Sequence, residues 1–309
     1  MLAEKSSDTA NETTLLQRVR DSIRGRDIID WAIDDFESFL ALFHVIRLQD
    51  GSVSQMRDGA IYFNTLPDMV RMHAQCRTSH VLITSLNENC GAFTTYIPYR
   101  TAQWGEWRSH MLDAGCTPQA VHQYLSDPMV KAVVTTQHTA IWHSSILSLP
   151  IGIRESQDII AYIFYADGIK TQDLLLNNSG WEHRQQINER VIKNFGGRIS
   201  NSYGITQSAY FESIARSRFV LCPSGLGWDS YRIWETLLLG SIPIVEFSAG
   251  WHTVLDDLPV LFVTNFNEVT PELLARACPE IMSQCARFDY GKLTKQWWVS
   301  KINKLLNAP

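Results

Sequence analysis

From Thr14 onward, Leu15, Leu16, Val19 and Ile23 recur at helical spacing, and a second helical stretch is expected from Asp27 to Phe43. The segment HVIRLQDGSVSQMRDGAIYFN then breaks into short strands around Asp50-Gly51 and Asp58-Gly59, dipeptides that favour tight turns. A helix after Pro67 and an apolar strand from His80 to Thr84 follow, with further apolar stretches at 132–136 and 146–153, the latter containing the turn-prone LPIGI. The second half is more regular. DLLLN (173–177), RFVLC (218–222), IPIVEF (242–247) and LPVLFV (258–263) read as strands. Between and after them, Glu182 to Asn194, Ser230 to Leu239 and a segment near Pro271 to Met282 read as helices. Strand and helix alternating in this way predict parallel sheets, and the second half reads as a Rossmann-like unit. The closing KLTKQWWVSKINKLL is an amphipathic helix, and residues 1 to about 13 are a polar tail.

A chain of 309 residues is about twice the usual single-domain size, so two domains are expected, with the boundary between about 150 and 170. We place an N-terminal Rossmann-like domain at 1–155, a second at 156–290 and a C-terminal helix at 291–309. Hydrophobic residues make up 45% and charged residues 19%, which argues for a packed globular protein. The net charge of -5 gives no general reason to expect nucleic acid or an anionic membrane surface, so any bound anion must be held by a few local positive groups. The six cysteines form no C-x-x-C pair, which argues against a zinc knuckle or a thioredoxin-like motif and reads as reduced thiols. No apolar run resembles a signal peptide or is long enough to span a bilayer, so a soluble, cytoplasmic protein is expected.

The chemistry concentrates in SRFVLCPSGLGWDSYRIWETLLLGSIPIVE, residues 217–246. A buried strand runs into the loop Pro223-Ser224-Gly225-Leu226-Gly227, where glycine lets backbone approach a ligand closely. Asp229 is placed to cap a helix beginning at Ser230, and Arg232 then falls in the first turn with Glu235 at i+3 on the same face. A glycine-rich loop, a helix N-terminus and a guanidinium form an anion site, and Glu235 one turn on is placed to accept hydrogen bonds from a ribose diol. Taken alone, Arg232 and Glu235 are also compatible with an exposed ion pair. The GLG at 225–227 is not a dinucleotide G-x-G-x-x-G, because the sixth position is Ser230.

The pattern P-S-G-x-G-x-D-x-x-R-x-W-E-x-x-x-x-G-x-I-P-I-V resembles the donor-binding signature of exostosin-type glycosyltransferases. VLITSLNENCGAF near 81–93, VVTTQHTAIWHSSILSLPIGI (133–153) and LLLNNSGWEHRQQINERV (174–191) are similar to further segments of that family, in order. The resemblance implies a GT-B fold, two Rossmann-like domains facing a central cleft, with the C-terminal helix crossing back. It implies transfer of a sugar, by inversion and with xylose as the first expectation, from a UDP-sugar to a hydroxyl of a glycan acceptor. By position, Arg232 then contacts the diphosphate, Glu235 the ribose and Arg184 a second phosphate oxygen. The loop residues Asn178, Ser179, Pro223, Ser224, Gly225, Gly227 and Asp229 line the donor. Two arginines suit a metal-independent site, and the chain contains no D-x-D triplet, so neither metal nor cofactor is expected.

Inversion needs a base to take the acceptor's proton. Glu88, in the loop after strand 80–84, is the candidate, with His138 and His44 in reserve; Asn87-Glu88-Asn89 leaves one carboxylate where the family's loop is more acidic. His138 and His143 do not form an H-E-x-x-H pair, and Trp104, Trp107, Trp142 and Trp181 could stack on a sugar or fill the core. The sequons Asn11-Glu12-Thr13 and Asn177-Asn178-Ser179 occur, and a glycan on the second would block the donor loop. Two other readings remain: a nucleotide-sugar epimerase or hydrolase on the same fold, which needs no acceptor, and a non-catalytic nucleotide-sugar-binding relative.

Overall fold

The computed structural model describes residues 15–29, 36–48, 53–84, 117–136, 143–154, 156–225, 227–248 and 251–307. Two parallel sheets follow one another along the chain. The first has the order β1-β2-β3-β4-β5, from Val45–Arg47, Ala60–Phe63, His80–Ile83, Val130–Thr136 and Ile146–Leu149. The second has the order β6-β7-β8-β9, from Gln172–Leu175, Ser217–Leu221, Ile242–Glu246 and Leu261–Val263. Parallel neighbours need crossover connections, and helices lie between β2 and β3, between β3 and β4, and between each successive pair from β6 to β9. The helices are α1 (residues 15–23), α2 (Phe36–Ala41), α3 (Leu66–Gln75), α4 (Pro118–Leu125), α5 (Ser156–Tyr165) and α6 (Glu182–Asn194). They continue with α7 (Gln207–Ala215), α8 (Tyr231–Leu238), α9 (His252–Leu255), α10 (Pro271–Ser283) and α11 (Lys295–Leu306). Two Rossmann-like α/β sheets in tandem are the architecture the sequence pattern predicts. No helix among the described residues is long and apolar enough to cross a membrane.

Period-two alternation in the first sheet separates two cores. Tyr62, Leu82 and Val133 face one way and pack with Leu66, Met69 and Met72 of α3 and with Val121 and Leu125 of α4. Ile61, Val81, Ile83, Ala132 and Val134 face the other way and join the large core that continues through the second sheet. The chain ends strengthen this junction by crossing over. Helix α11, burying Trp298 and Ile302, packs on β3 and β4 of the first sheet. Helix α1 packs against the second unit, where Arg20 Nε donates to Ile163 O at 2.6 Å.

Gly240 shows how tightly α1 sits. Helix α8 ends in a Schellman turn, with Gly240 N–H bonded to Leu237 O and Ser241 N–H to Thr236 O. Gly240 has φ +68°, and a Cβ there would lie 2.9 Å from Leu16 Cα.

Three sequence expectations are corrected. A single helix from Asp27 to Phe43 does not form. Ile28 is bridged to Thr294, Ile29 N–H bonds Leu293 O and Asp27 O accepts from Lys295 N–H, so this backbone is committed to the segment before α11. Among the described residues, helix α2 covers Phe36–Ala41. Strand β9 begins at Leu261 rather than 258, because Leu258 N–H and Val260 N–H bond to Leu255 O and Leu258 O as turns. Helices α4, α5, α7 and α9 were not anticipated. Residues 50–51 and the tail lie outside the described residues.

Candidate functional site

Strand β6 is flanked on both sides. On one side lies β7; on the other, Asn201 makes a parallel bridge to Leu176, just past β6, and Ser202 N–H bonds Leu176 O. The chain therefore leaves β6, runs through α6 to Asn201 on one flank, and returns through α7 to β7 on the other. Such a switch point opens a crevice outside the carboxyl ends of the strands, where ligands bind in open α/β sheets. At this point residues 177–180 leave β6 and residues 222–229 leave β7.

Arg184, in the first turn of α6, is buried and fastens the two loops together. Its Nε donates to Ser224 O at 3.0 Å, Nη1 to Ser179 Oγ at 2.8 Å and Nη2 to Pro223 O at 3.3 Å, while its guanidinium lies 4.9 Å over the Trp181 ring. Gly225 is needed for this approach, since a Cβ there would come within 2.8 Å of Arg184 Nη2. The loop closes on itself through Gly225 N–H to Gly227 O at 2.8 Å. All of these acceptors are neutral, and two of the five guanidinium N–H groups remain.

Arg232 approaches from α8. Its Nη1 donates to Asn178 Oδ1 at 2.8 Å, and its Nε is buried without a hydrogen-bond partner. Asn178 is fully buried and held by Asn188, which accepts from its Nδ2 at 2.7 Å, and by Asn201, which bonds both its N–H and its C=O. Glu235 accepts from the buried Tyr210 hydroxyl at 2.7 Å. None of the ion pairs among the described residues includes Arg184 or Arg232.

The electrostatics agree with two adjacent cations. Burial and the neighbouring charge of Arg232 lower the Arg184 pKa to about 10. Burial also works against charge on Arg232, but Tyr210, Cys222 and Glu235 around it hold its pKa above the ordinary arginine value. Of the eight buried, unpartnered side-chain polar atoms among the described residues, three cluster within five positions: Trp228 Nε1, Ser230 Oγ and Arg232 Nε. Such atoms are costly unless a ligand or water satisfies them. The N-termini of α6 and α8 add to this, because neither Trp181 nor Ser230 makes a side-chain capping bond.

Hydrogen bonds thus bring Arg184, Ser179, Pro223, Ser224, Gly225 and Gly227 together where the two loops leave the sheet, with Arg232 tied to Asn178 and Glu235 held beside it by Tyr210. Asp229 is corrected. It does not cap α8, whose N-cap is Ser230, because its carboxylate is held by Ile151 N–H at 2.6 Å and Trp234 Nε1–H at 2.8 Å. Tyr210, Asn188 and Asn201, which orient Glu235 and Asn178, were missed by sequence reasoning; they come from separate elements and share no motif. Glu88 and His138 lie outside the described residues, as do Trp104, Trp107 and Trp142. His44 is exposed. No group of three or more potential metal ligands occurs among the described residues.

Residues 174–298 match the family model described as RXYLT1 C-terminal domain. This supports the exostosin- and xylosyltransferase-like family that the sequence resembles, and with it a glycosyltransferase-like function. No curated protein matches the chain. Among solved structures, one described as "OtsA apo structure" is 11% identical, with a TM-score of 0.42, covering 83% of this chain and 75% of that one. Another, "Trehalose-6-phosphate from E. coli bound with UDP-2-fluoro glucose", is 11% identical with a TM-score of 0.35 over the same shares.

Proposed function

We propose that the protein transfers a sugar from a UDP-sugar to a glycan hydroxyl, with the donor diphosphate held between Arg184 and Arg232. The observation that carries this is the pair of neighbouring guanidiniums at the switch point, neither of them in a carboxylate ion pair among the described residues, with Arg232 Nε buried and unpartnered. A diphosphate would accept the remaining N–H groups of Arg184, the buried Nε of Arg232 and the N–H groups opening α6 and α8. Glu235, which accepts from Tyr210, is the carboxylate placed for the ribose hydroxyls. As the glycosidic bond breaks, negative charge grows on the leaving diphosphate, and two fixed cations stabilise it with little reorganisation. This favours a metal-independent reaction. Direct displacement with inversion requires a base on the acceptor side, and Glu88 remains the candidate, followed by His138. Xylose is the proposed donor sugar through the family resemblance.

Calorimetric titration with UDP, with and without EDTA, tests the site; a panel of UDP-sugars scored for slow hydrolysis then reads the donor. Micromolar, EDTA-insensitive UDP binding with one sugar hydrolysed is the expected result. Absence of uridine nucleotide binding defeats the donor-site reading, and binding abolished by EDTA defeats metal independence.

A further inference from the structure

Asp229 lies between the arginine loop and the chain crossing that joins the two units. Its side chain is buried, and its two oxygens have partners in different parts of the chain. Oδ2 accepts from Ile151 N–H, 78 residues away and just past the carboxyl end of β5. Oδ1 accepts from Nε1 of Trp234, which is fully buried on α8 between Arg232 and Glu235 and packs edge-on against Trp251.

The crossing that Ile151 belongs to is braided with the other passages between the units. Ile153 N–H bonds Ile29 O, Ile29 N–H bonds Leu293 O, and Ile28 bridges Thr294. Gly152, at φ +72°, is pressed against the Ile29 carbonyl, so no larger residue fits without moving the backbone. Ile151 is thus held by a rigid neighbourhood, and Asp229 passes that position on to the first turn of α8.

We infer that Asp229 is a positioning residue that latches the inter-unit crossing to α8, so that the placement of Arg232 and Glu235 depends on how the first sheet sits against the second. The N–H groups of Ile151, Trp234 and Ser230 all donate to this carboxyl, whose two oxygens can accept them together. An asparagine keeps the shape but turns an NH2 toward one of those donors. Coupling of this kind is reciprocal: a ligand that fixes Arg232 must also steady Ile151.

The latch is tested on the full chain by hydrogen exchange and UDP titration; the affinity arm rests on the donor reading above, and the exchange arm does not. In Asp229→Asn, exchange should quicken about tenfold or more in segments 150–153 and 229–235 together, and UDP affinity should fall about 10- to 100-fold. In the unchanged protein, UDP should slow exchange at 150–153. Trp234→Phe, which cuts only the α8 half, should quicken both segments as well, and it carries the test if the Asn variant does not fold. Faster exchange confined to 229–235, or unaltered UDP affinity in a folded Asn variant, overturns the inference. If the unchanged protein binds no UDP, the donor reading fails, and the joint exchange response alone decides the latch.

Discussion

At the residue scale, the two arginines differ in what their removal takes away. Arg232→Ala removes a guanidinium bonded to the Asn178 and Tyr210 side chains rather than to the loop backbone, so the cradle stays built while the anion loses a charge-assisted partner. The expected result is UDP binding weakened about 10- to 100-fold, from roughly 1.5–3 kcal/mol, with a small change in stability. Arg184→Ala should weaken binding similarly and also lower stability, because Ser224 O, Pro223 O and Ser179 Oγ each lose the hydrogen bond that joins the two loops. Parallel titration and urea unfolding separate the two; equal stability losses would contradict the division of roles. Burial pushes the neighbouring Cys222 thiol up to about 12, so it should resist alkylation at pH 8 in the native protein and react only after unfolding. Rapid native labelling at Cys222, read by peptide mass, would show that the loop opens. Residue-level chemistry was legible where it was local: the glycines, Arg232 and Glu235 lie within one short motif. The true partner of Asp229 was not, since Ile151 is a backbone donor that only the tertiary fold brings near.

Among the elements, α6 was readable to the residue, because a strand-ending Asn-Asn-Ser-Gly precedes it and Gly196-Gly197 follow it. Helix α5 was not, because Ile159, Ile160, Tyr162, Ile163 and Phe164 give it no clear polar face. Helix α7 is short, and its only sequence signal was the capping Thr206. The contact between α1 and α8 gives the element-scale prediction. Gly240→Ala combines a left-handed backbone with a clash against Leu16 and should cost about 2–4 kcal/mol. Gly196→Ala has a similar φ of +61° but open space around it, so only the backbone term of about 1–2 kcal/mol applies. Urea midpoints should rank the two variants in that order. Equal losses would mean that α1 does not press on the turn.

For the whole molecule, the parallel sheets were foreseeable from buried apolar strands alternating with helices, whereas the shared core between the units was not. A face of β2, β3 and β4 that buries Ile61, Val81 and Val134 against the second unit looks, in sequence, like any buried strand. The opposite face holds a polar group that sets the acid response. His80 is fully buried, bonded to Thr78 O and the Tyr124 hydroxyl and packed beside His73, and burial lowers its pKa to about 4 from 6.5. The unfolded chain therefore binds more protons between those values. Stability from this group is complete above pH 6.5 and is lost as pH falls toward 4, by up to about 3 kcal/mol. Unfolding free energies that stay flat across that window would remove His80 as the cause.

The crossed ends also carry a consequence for how the protein is made. During synthesis, α1 leaves the ribosome more than two hundred positions before α8, its docking surface. The sheet surface that receives α11 is likewise made well before that helix and stays uncovered until it arrives. Neither sheet can finish folding on its own schedule, so the nascent chain must carry an exposed apolar face while the residues in between are made, when it is most open to chaperones and to aggregation.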